Sequence, residues 1–179
     1  AKLQNALLQV LEEGKATIGS YDIDFNVNFI FIGTLNPNDK TTEQLSEVFL
    51  DRCDLIYMDY PETLEIEKQI VTAKGQKSAE FEEELLDKTL NFVRLLRNSN
   101  KLERFPSVRA SIGLYERAQA NAVLHKRKEV EMKDIQDAIV SVLAHRIELK
   151  ASAKYTETTK EFLEQEIDEQ FGAASGEYG

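Results

Sequence analysis

Apolar residues follow two rhythms along this chain, one of strands and one of helices. Residues 2–13 place Leu3, Ala6, Leu7, Val10 and Leu11 on one helical face, with Gly14 suited to the C-terminal cap, so an amphipathic helix opens the chain. Residues 15–25 turn to alternating and turn-forming side chains, Thr17, Ile18, Gly19, Ser20, Tyr21 and Ile23, which predict a hairpin. The run 27–32 is apolar, aromatic and β-branched, interrupted only by Asn28, and stops at Gly33; it predicts a central strand covered on both faces. Thr41 and Gln44 then have capping-box spacing, while Leu45, Val48 and Phe49 share a face, predicting a short helix that ends at Asp51 and Arg52. A second short apolar run, 55–58, lies between Asp54 and Asp59 and reads as another buried strand.

From Pro61 the rhythm is helical. Pro61 and Glu62 suit the first turn of a helix that runs through Ile66 and Ile70 towards Gly75. The polar, glycine-containing residues 74–77 mark the expected boundary between a sheet piece and a helical domain. Ser78 is the expected N-cap of the next helix, whose stripe is Phe81, Leu85, Thr89, Phe92, Val93 and Leu96 and which Asn98, Ser99 and Asn100 end. The acidic run 80–84 fits the first turns of that helix as a solvated face. Pro106 and Ser107 start another helix, packed through Ile112, Tyr115, Ala118 and Ala122, with the basic residues 125–128 at its favourable carboxyl end. A helix over 131–148 follows, with Ile135, Ile139, Val142 and Leu143 inside; Glu131 stands where a small hydroxyl is preferred, which should weaken that start modestly. Residues 158–171 predict an acidic helix with Phe162, Leu163 and Ile167 on one side, suited to docking or to a lattice contact, before a flexible end.

Composition narrows the function. A chain of 179 residues makes one good-sized domain or two small ones, and 42% hydrophobic with 30% charged content is ordinary for a globular protein. A net charge of −10 argues against nucleic acid as the main partner. The single Cys53 cannot form an internal disulfide and the two histidines make no metal-ligand cluster, which points to a reducing, cytoplasmic setting. No apolar run approaches the roughly 20 residues a membrane helix needs, and no signal-peptide pattern opens the chain. Beginning at Ala1 with a helix already under way, the sequence reads as a piece of a longer one.

Two positions stand out chemically. Asn36 follows the apolar run 27–32, at the carboxyl edge where open α/β sheets place ligands. Arg109 falls in the first turn of its helix, where a cation opposes the positive end of the dipole; a bound anion would explain it.

The segments GTLNP (33–37) and LSEVFLDR (45–52) together resemble the sensor 1 strand and arginine-finger segment of AAA+ ATPases. The nearest subset is the group of MoxR, NorQ/CbbQ and magnesium-chelatase ATPase subunits. LQNALLQVLEEG (3–14) is similar to the helix that follows the Walker B carboxylates in MoxR-type ATPases, which would then lie just upstream of Ala1. Residues 15–25 match the hairpin before sensor 1, PSVRA (106–110) resembles the sensor 2 segment, and KDIQDAIVSVLAHRI (133–147) resembles the last lid helix. Cys53 stands where the family usually has Phe, and His145 reads as structural. The resemblance fades after residue 150.

What it implies is an α/β piece of a P-loop AAA+ core over 1–74, a helical lid over 75–150, and an acidic helix and tail over 151–179, mostly helical overall. Asn36 would place the attacking water, Arg52 would reach the neighbouring subunit's nucleotide in trans, and Arg109 would bind nucleotide phosphates from the lid. The forked guanidinium suits that chemistry, since phosphoryl transfer depends on positioning and charge. ATP and Mg²⁺ would be the cofactors of the full-length parent, which would form homo-oligomeric rings that remodel proteins or assist metal-cofactor insertion, often with a von Willebrand factor A domain partner. This sequence holds no GxxxxGK followed by Ser or Thr, so the fragment alone should not hydrolyse ATP. Two alternatives remain: a non-enzymatic helical interaction module with relic motifs, and a magnesium-chelatase ATPase subunit proper, which differs only in its partner.

Overall fold

The expected opening helix runs Lys2–Glu13 (α1) and is followed by an antiparallel pair, Lys15–Ile18 (β1) and Tyr21–Asp24 (β2), in register Lys15 with Asp24 and Ile18 with Tyr21. These belong to a computed structural model that describes residues 2–13, 15–18, 21–24, 30–36 and 45–172. The chain divides into two units, Ala1–Met58 and Asp59–Gly179.

In the first unit the expected buried strands do not form. Residues 30–36 make no ladder, and Ile30 and Ile32 are 88% and 85% exposed; residues 27–29 lie outside the described residues. Residues 55–58 are likewise unpaired, with Met58 at 91%. A strand needs hydrogen-bonding neighbours on its edges, and β1 and β2 pair only with each other among the described residues. The short helix is Glu47–Leu50 (α2), capped by Ser46, whose hydroxyl accepts the Phe49 N–H at 3.3 Å. The capping pair expected at Thr41 and Gln44 lies outside the described residues. Phe49 is buried and meets Phe31 edge to face, with ring centroids 6.1 Å apart.

The second unit carries the remaining elements: Leu64–Lys74 (α3), Glu83–Arg97 (α4), Leu102–Arg104 (β3), Val108–Leu124 (α5), Met132–Leu143 (α6), Glu148–Leu149 (β4), Ala151–Lys154 (α7) and Thr159–Phe171 (α8). Helix α3, in the stretch 1–74 expected to form the sheet piece, lies in the second unit and packs with α4 and α5. It starts at Thr63, whose hydroxyl accepts the Ile66 N–H at 3.2 Å, two residues later than Pro61 suggests. Gly75 ends it where a Cβ would come 2.7 Å from the Tyr115 ring, so a side chain there would collide.

Ser78 is not the cap of α4. Its N–H and that of Ala79 both bond the buried Gln119 side-chain oxygen, at 2.7 and 3.0 Å, and Glu80 forms a parallel bridge with Glu129. The backbone therefore stays extended until Glu82, and only Glu83 and Glu84 of the acidic run lie in the helix's first turn.

Buried residues of α5 and α6 form the centre of the core. Ala110, Leu114, Ala118 and Ala122 recur every four residues along α5, and the small size of the three alanines lets Ile135, Ile139 and Leu143 of α6 approach. Gly113 extends this seam, since a Cβ there would lie 3.1 Å from Val142. Helix α8 seals the same core with Phe162, Leu163 and Ile167, each large side chain contributing on the order of 1.5–3 kcal/mol by burial. The acidic helix is thus integral to this unit. A smaller cluster of Val71, Leu86, Leu90 and Tyr115 fixes α3 against α4 and α5, with Phe81 stacked on Tyr115 at 5.5 Å.

Candidate functional site at the amino end of helix α5

Helix α5 begins at Ser107, whose backbone is extended and whose side chain makes no capping bond. Its first turn contains no acidic residue. Arg109 is exposed, and no hydrogen-bond or ion-pair partner meets its guanidinium among the described residues. The free N–H groups of a helix start and an unpaired guanidinium make one local concentration of positive charge, suited to an anion with several oxygens.

This turn is held from beneath by a carboxylate that the periodicity analysis overlooks. Glu67 of α3 is fully buried and receives both terminal nitrogens of Arg97, at 2.8 and 2.6 Å. The Ser111 hydroxyl donates to its Oε1 at 2.5 Å, and Arg94 stands 3.4 Å from Oε2. Burial pushes the Glu67 carboxyl up, but the hydrogen bonds from Arg97 and Ser111 and the Arg97 charge outweigh it and hold the group below its ordinary value. Arg97 also donates from Nε to the Pro106 carbonyl at 2.9 Å and lies 4.6 Å from the Tyr60 ring centroid. A signal did exist: Leu64, Glu67 and Val71 share one face of α3, so a carboxylate stands among apolar positions.

A second buried carboxylate closes the turn between α5 and α6. Asp134 is fully buried, takes Nη1 and Nη2 of Arg127 at 2.7 Å each, and accepts the Glu131 N–H at 2.9 Å. Burial raises its pKa, yet the Arg127 and Glu131 hydrogen bonds win and lower it overall. The Asp134 side chain, at the third helical position, reaches back to the Glu131 N–H as in a capping box, so the start of α6 is tied down from within its first turn.

The other expected site residues lie in the first unit. Asn36 is exposed at the end of the run 30–36. Arg52 follows α2, forms an ion pair with Glu12 of α1 and donates to the Val48 carbonyl at 2.7 Å. Cys53 is a half-buried free thiol, and His145 is exposed, its carbonyl accepting from Arg104 at 3.1 Å. Among the described residues no group of three His, Cys, Asp or Glu side chains could hold a metal, and no helix is long and apolar enough to cross a membrane.

Residues 104–168, which include α5, α6 and most of α8, match the AAA lid domain family. That span runs past residue 150, where the resemblance read from sequence stops. The chain is 30% identical over 190 aligned residues to the uncharacterised protein YeaC of Bacillus subtilis, covering 93% of this chain and 59% of that protein. It is also similar to the crystal structure of a candidate ATPase from Cytophaga hutchinsonii, with 23% identity and a TM-score of 0.47, covering 93% of this chain and 61% of the other. The chain thus spans about three-fifths of each of these proteins.

Proposed function

We propose that this chain is the carboxyl-terminal part of a MoxR-like AAA+ ATPase that couples ATP hydrolysis to the remodelling or assembly of partner proteins, in chaperone fashion or in metal-cofactor insertion. The observation that carries the reading is Arg109, a cation without an acidic partner among the described residues, at the positive end of a lid-domain helix. An anion relieves that repulsion, and a planar fork of donors suits phosphate oxygens. In this reading Arg109 is sensor 2, Asn36 is sensor 1 and Arg52 is the arginine finger that acts in trans within a homo-oligomeric ring. Arg52 must then exchange Glu12 for phosphate oxygens, which is inexpensive because an exposed ion pair contributes only about 0–1 kcal/mol.

ATP and Mg²⁺ fit this chain only in part. Arg109 suits the triphosphate, while the phosphate-cradling loop and the metal-binding carboxylates would come from outside these residues. The exposed apolar runs 30–35 and 55–58 support the same reading, as strands that add to a sheet supplied by the rest of a longer protein. They also give the rival, a non-enzymatic interaction module, its best argument. A magnesium-chelatase subunit differs only in its client. A cytoplasmic setting and a von Willebrand factor A domain partner belong to the proposal too.

The test is ATP turnover by the intact protein. Arg109→Ala should lower kcat/KM by about ten-fold or more, and Arg52→Ala subunits mixed into wild-type rings should depress turnover beyond their share. Turnover at the wild-type level in both would sink the ATPase reading of these residues.

A further inference from the structure

The Glu67 network has a shape that stability alone does not explain. A buried carboxylate paired with arginine is weak support for a fold, since apolar residues of similar volume often do as well or better. What it does achieve is geometric. Arg97 grips the Pro106 carbonyl three residues before Arg109, and Ser111, two residues after Arg109, donates to Glu67 itself. Ser107 leaves its own capping bond unmade, so the turn that carries Arg109 is oriented by side chains of α3 and α4 rather than by its own cap. The same arginines hold the segment that opens the unit: Arg94 donates to the Pro61 and Glu62 carbonyls at 3.0 and 2.9 Å, and Arg97 lies over Tyr60.

We propose that Glu67 and Ser111 are positioning residues for Arg109, fixing the first turn of α5 and the segment 60–62 in one buried polar network so that the guanidinium is presented to phosphate in a set direction. This rests on the reading of Arg109 as a nucleotide contact and adds which residues make that contact productive. Glu67 accepts from two helices at once, from α4 through Arg97 and Arg94 and from α5 through Ser111, which neither glutamine nor an apolar residue can do with the same charge and geometry. Any displacement of the segment 60–62 is transmitted through Arg94 and Arg97 to the carboxylate that holds Ser111. Arg109 therefore moves with that segment rather than independently of it.

The test is a double-mutant cycle in the intact protein, with ATP turnover and amide hydrogen exchange as readouts. Ser111→Ala removes one hydroxyl and leaves the Glu67–Arg97 pair, so the fold survives; Glu67→Gln removes the charge. Both should lower kcat/KM for ATP by roughly three- to thirty-fold and speed exchange across residues 108–111, with α6 unchanged. Ser111→Ala combined with Arg109→Ala should be no worse than Arg109→Ala alone, because a positioning effect has nothing left to position. If Ser111→Ala and Glu67→Gln turn over ATP like the wild type while Arg109→Ala does not, or if the double variant shows the full product of the two losses, the positioning role is wrong. Wild-type turnover in Arg109→Ala alone would remove the underlying reading and this inference with it, an outcome told apart because it needs no change at Glu67 or Ser111.

Discussion

Arg127 grips Asp134 with two parallel hydrogen bonds of 2.7 Å, one from each terminal nitrogen, and so locks the turn between α5 and α6 to the first turn of α6. Asp134 has no exposure to water while the Arg127 side chain is 28% exposed, so rupture of the pair leaves the aspartate as a buried charge. Arg127→Ala should cost about 2–4 kcal/mol in urea unfolding at neutral pH. A loss of only a few tenths of a kcal/mol, as for an exposed pair, would contradict this account of the turn.

The residue before that arginine is strained. Lys126 has φ of 60°, in the left-handed region that favours glycine, and the chain leaves α5 there with the Arg127 N–H bonded to the Ala122 carbonyl and the Lys126 N–H to the Val123 carbonyl. Lys126→Gly should raise stability by about 0.5–1 kcal/mol, the relief of strain exceeding the added freedom of the unfolded chain. Thermal unfolding measures it, and a lower melting temperature in the variant would count against the strain.

Glu67 and Asp134 set the acid response. Both carboxyls are held below their ordinary values of 4.5 and 3.8, so each stabilises the fold fully above its unfolded pKa and loses that contribution as pH falls through its folded pKa. Stability should be flat near neutrality and decline from about pH 4.5 downward. Asp134→Asn should be less stable at pH 7 but should lose less between pH 5 and pH 2, roughly, than the wild type. Equal losses in both proteins would show that Asp134 is not one of the groups that titrate with unfolding.

Much of the helical unit was legible in the sequence because helices announce themselves locally. Ala118 and Ala122 of α5, Ile135 and Ile139 of α6, and Phe162, Leu163 and Ile167 of α8 all lie buried on the faces their spacing indicates. What was not legible depends on partners far along the chain. Ser78 looks like a helix cap until Gln119, 41 residues on, takes its N–H. Residues 55–58 look like a buried strand because apolar composition reports a preference for burial, while the burial itself depends on neighbours that no local pattern contains. Glu67 stands out only as a carboxylate on the apolar face of α3, and its partners, Arg97 and Ser111, lie 30 and 44 residues away where no local pattern reaches. Arg109, by contrast, falls in the first helical turn where the sequence places it, and the anion that such a placement asks for belongs to the proposal.

Helix α8 offers a test of how far the cooperative helical unit extends. Phe162 is fully buried and Lys101 lies 5.4 Å from its ring centroid, so Phe162→Ala should cost about 3–5 kcal/mol and lower the cooperativity of the whole helical unit. A small loss confined to residues 159–171 would mean that α8 docks on a unit that is complete without it.

If Arg109 contacts nucleotide phosphate, as proposed, its loss must show in the affinity of the intact protein for MgATP, measured by calorimetry for wild type and Arg109→Ala. The account predicts binding about ten-fold weaker in the variant, with the melting temperature of the nucleotide-free protein unchanged. Equal affinities would contradict it and turn attention to Arg109 as a contact for another anionic partner.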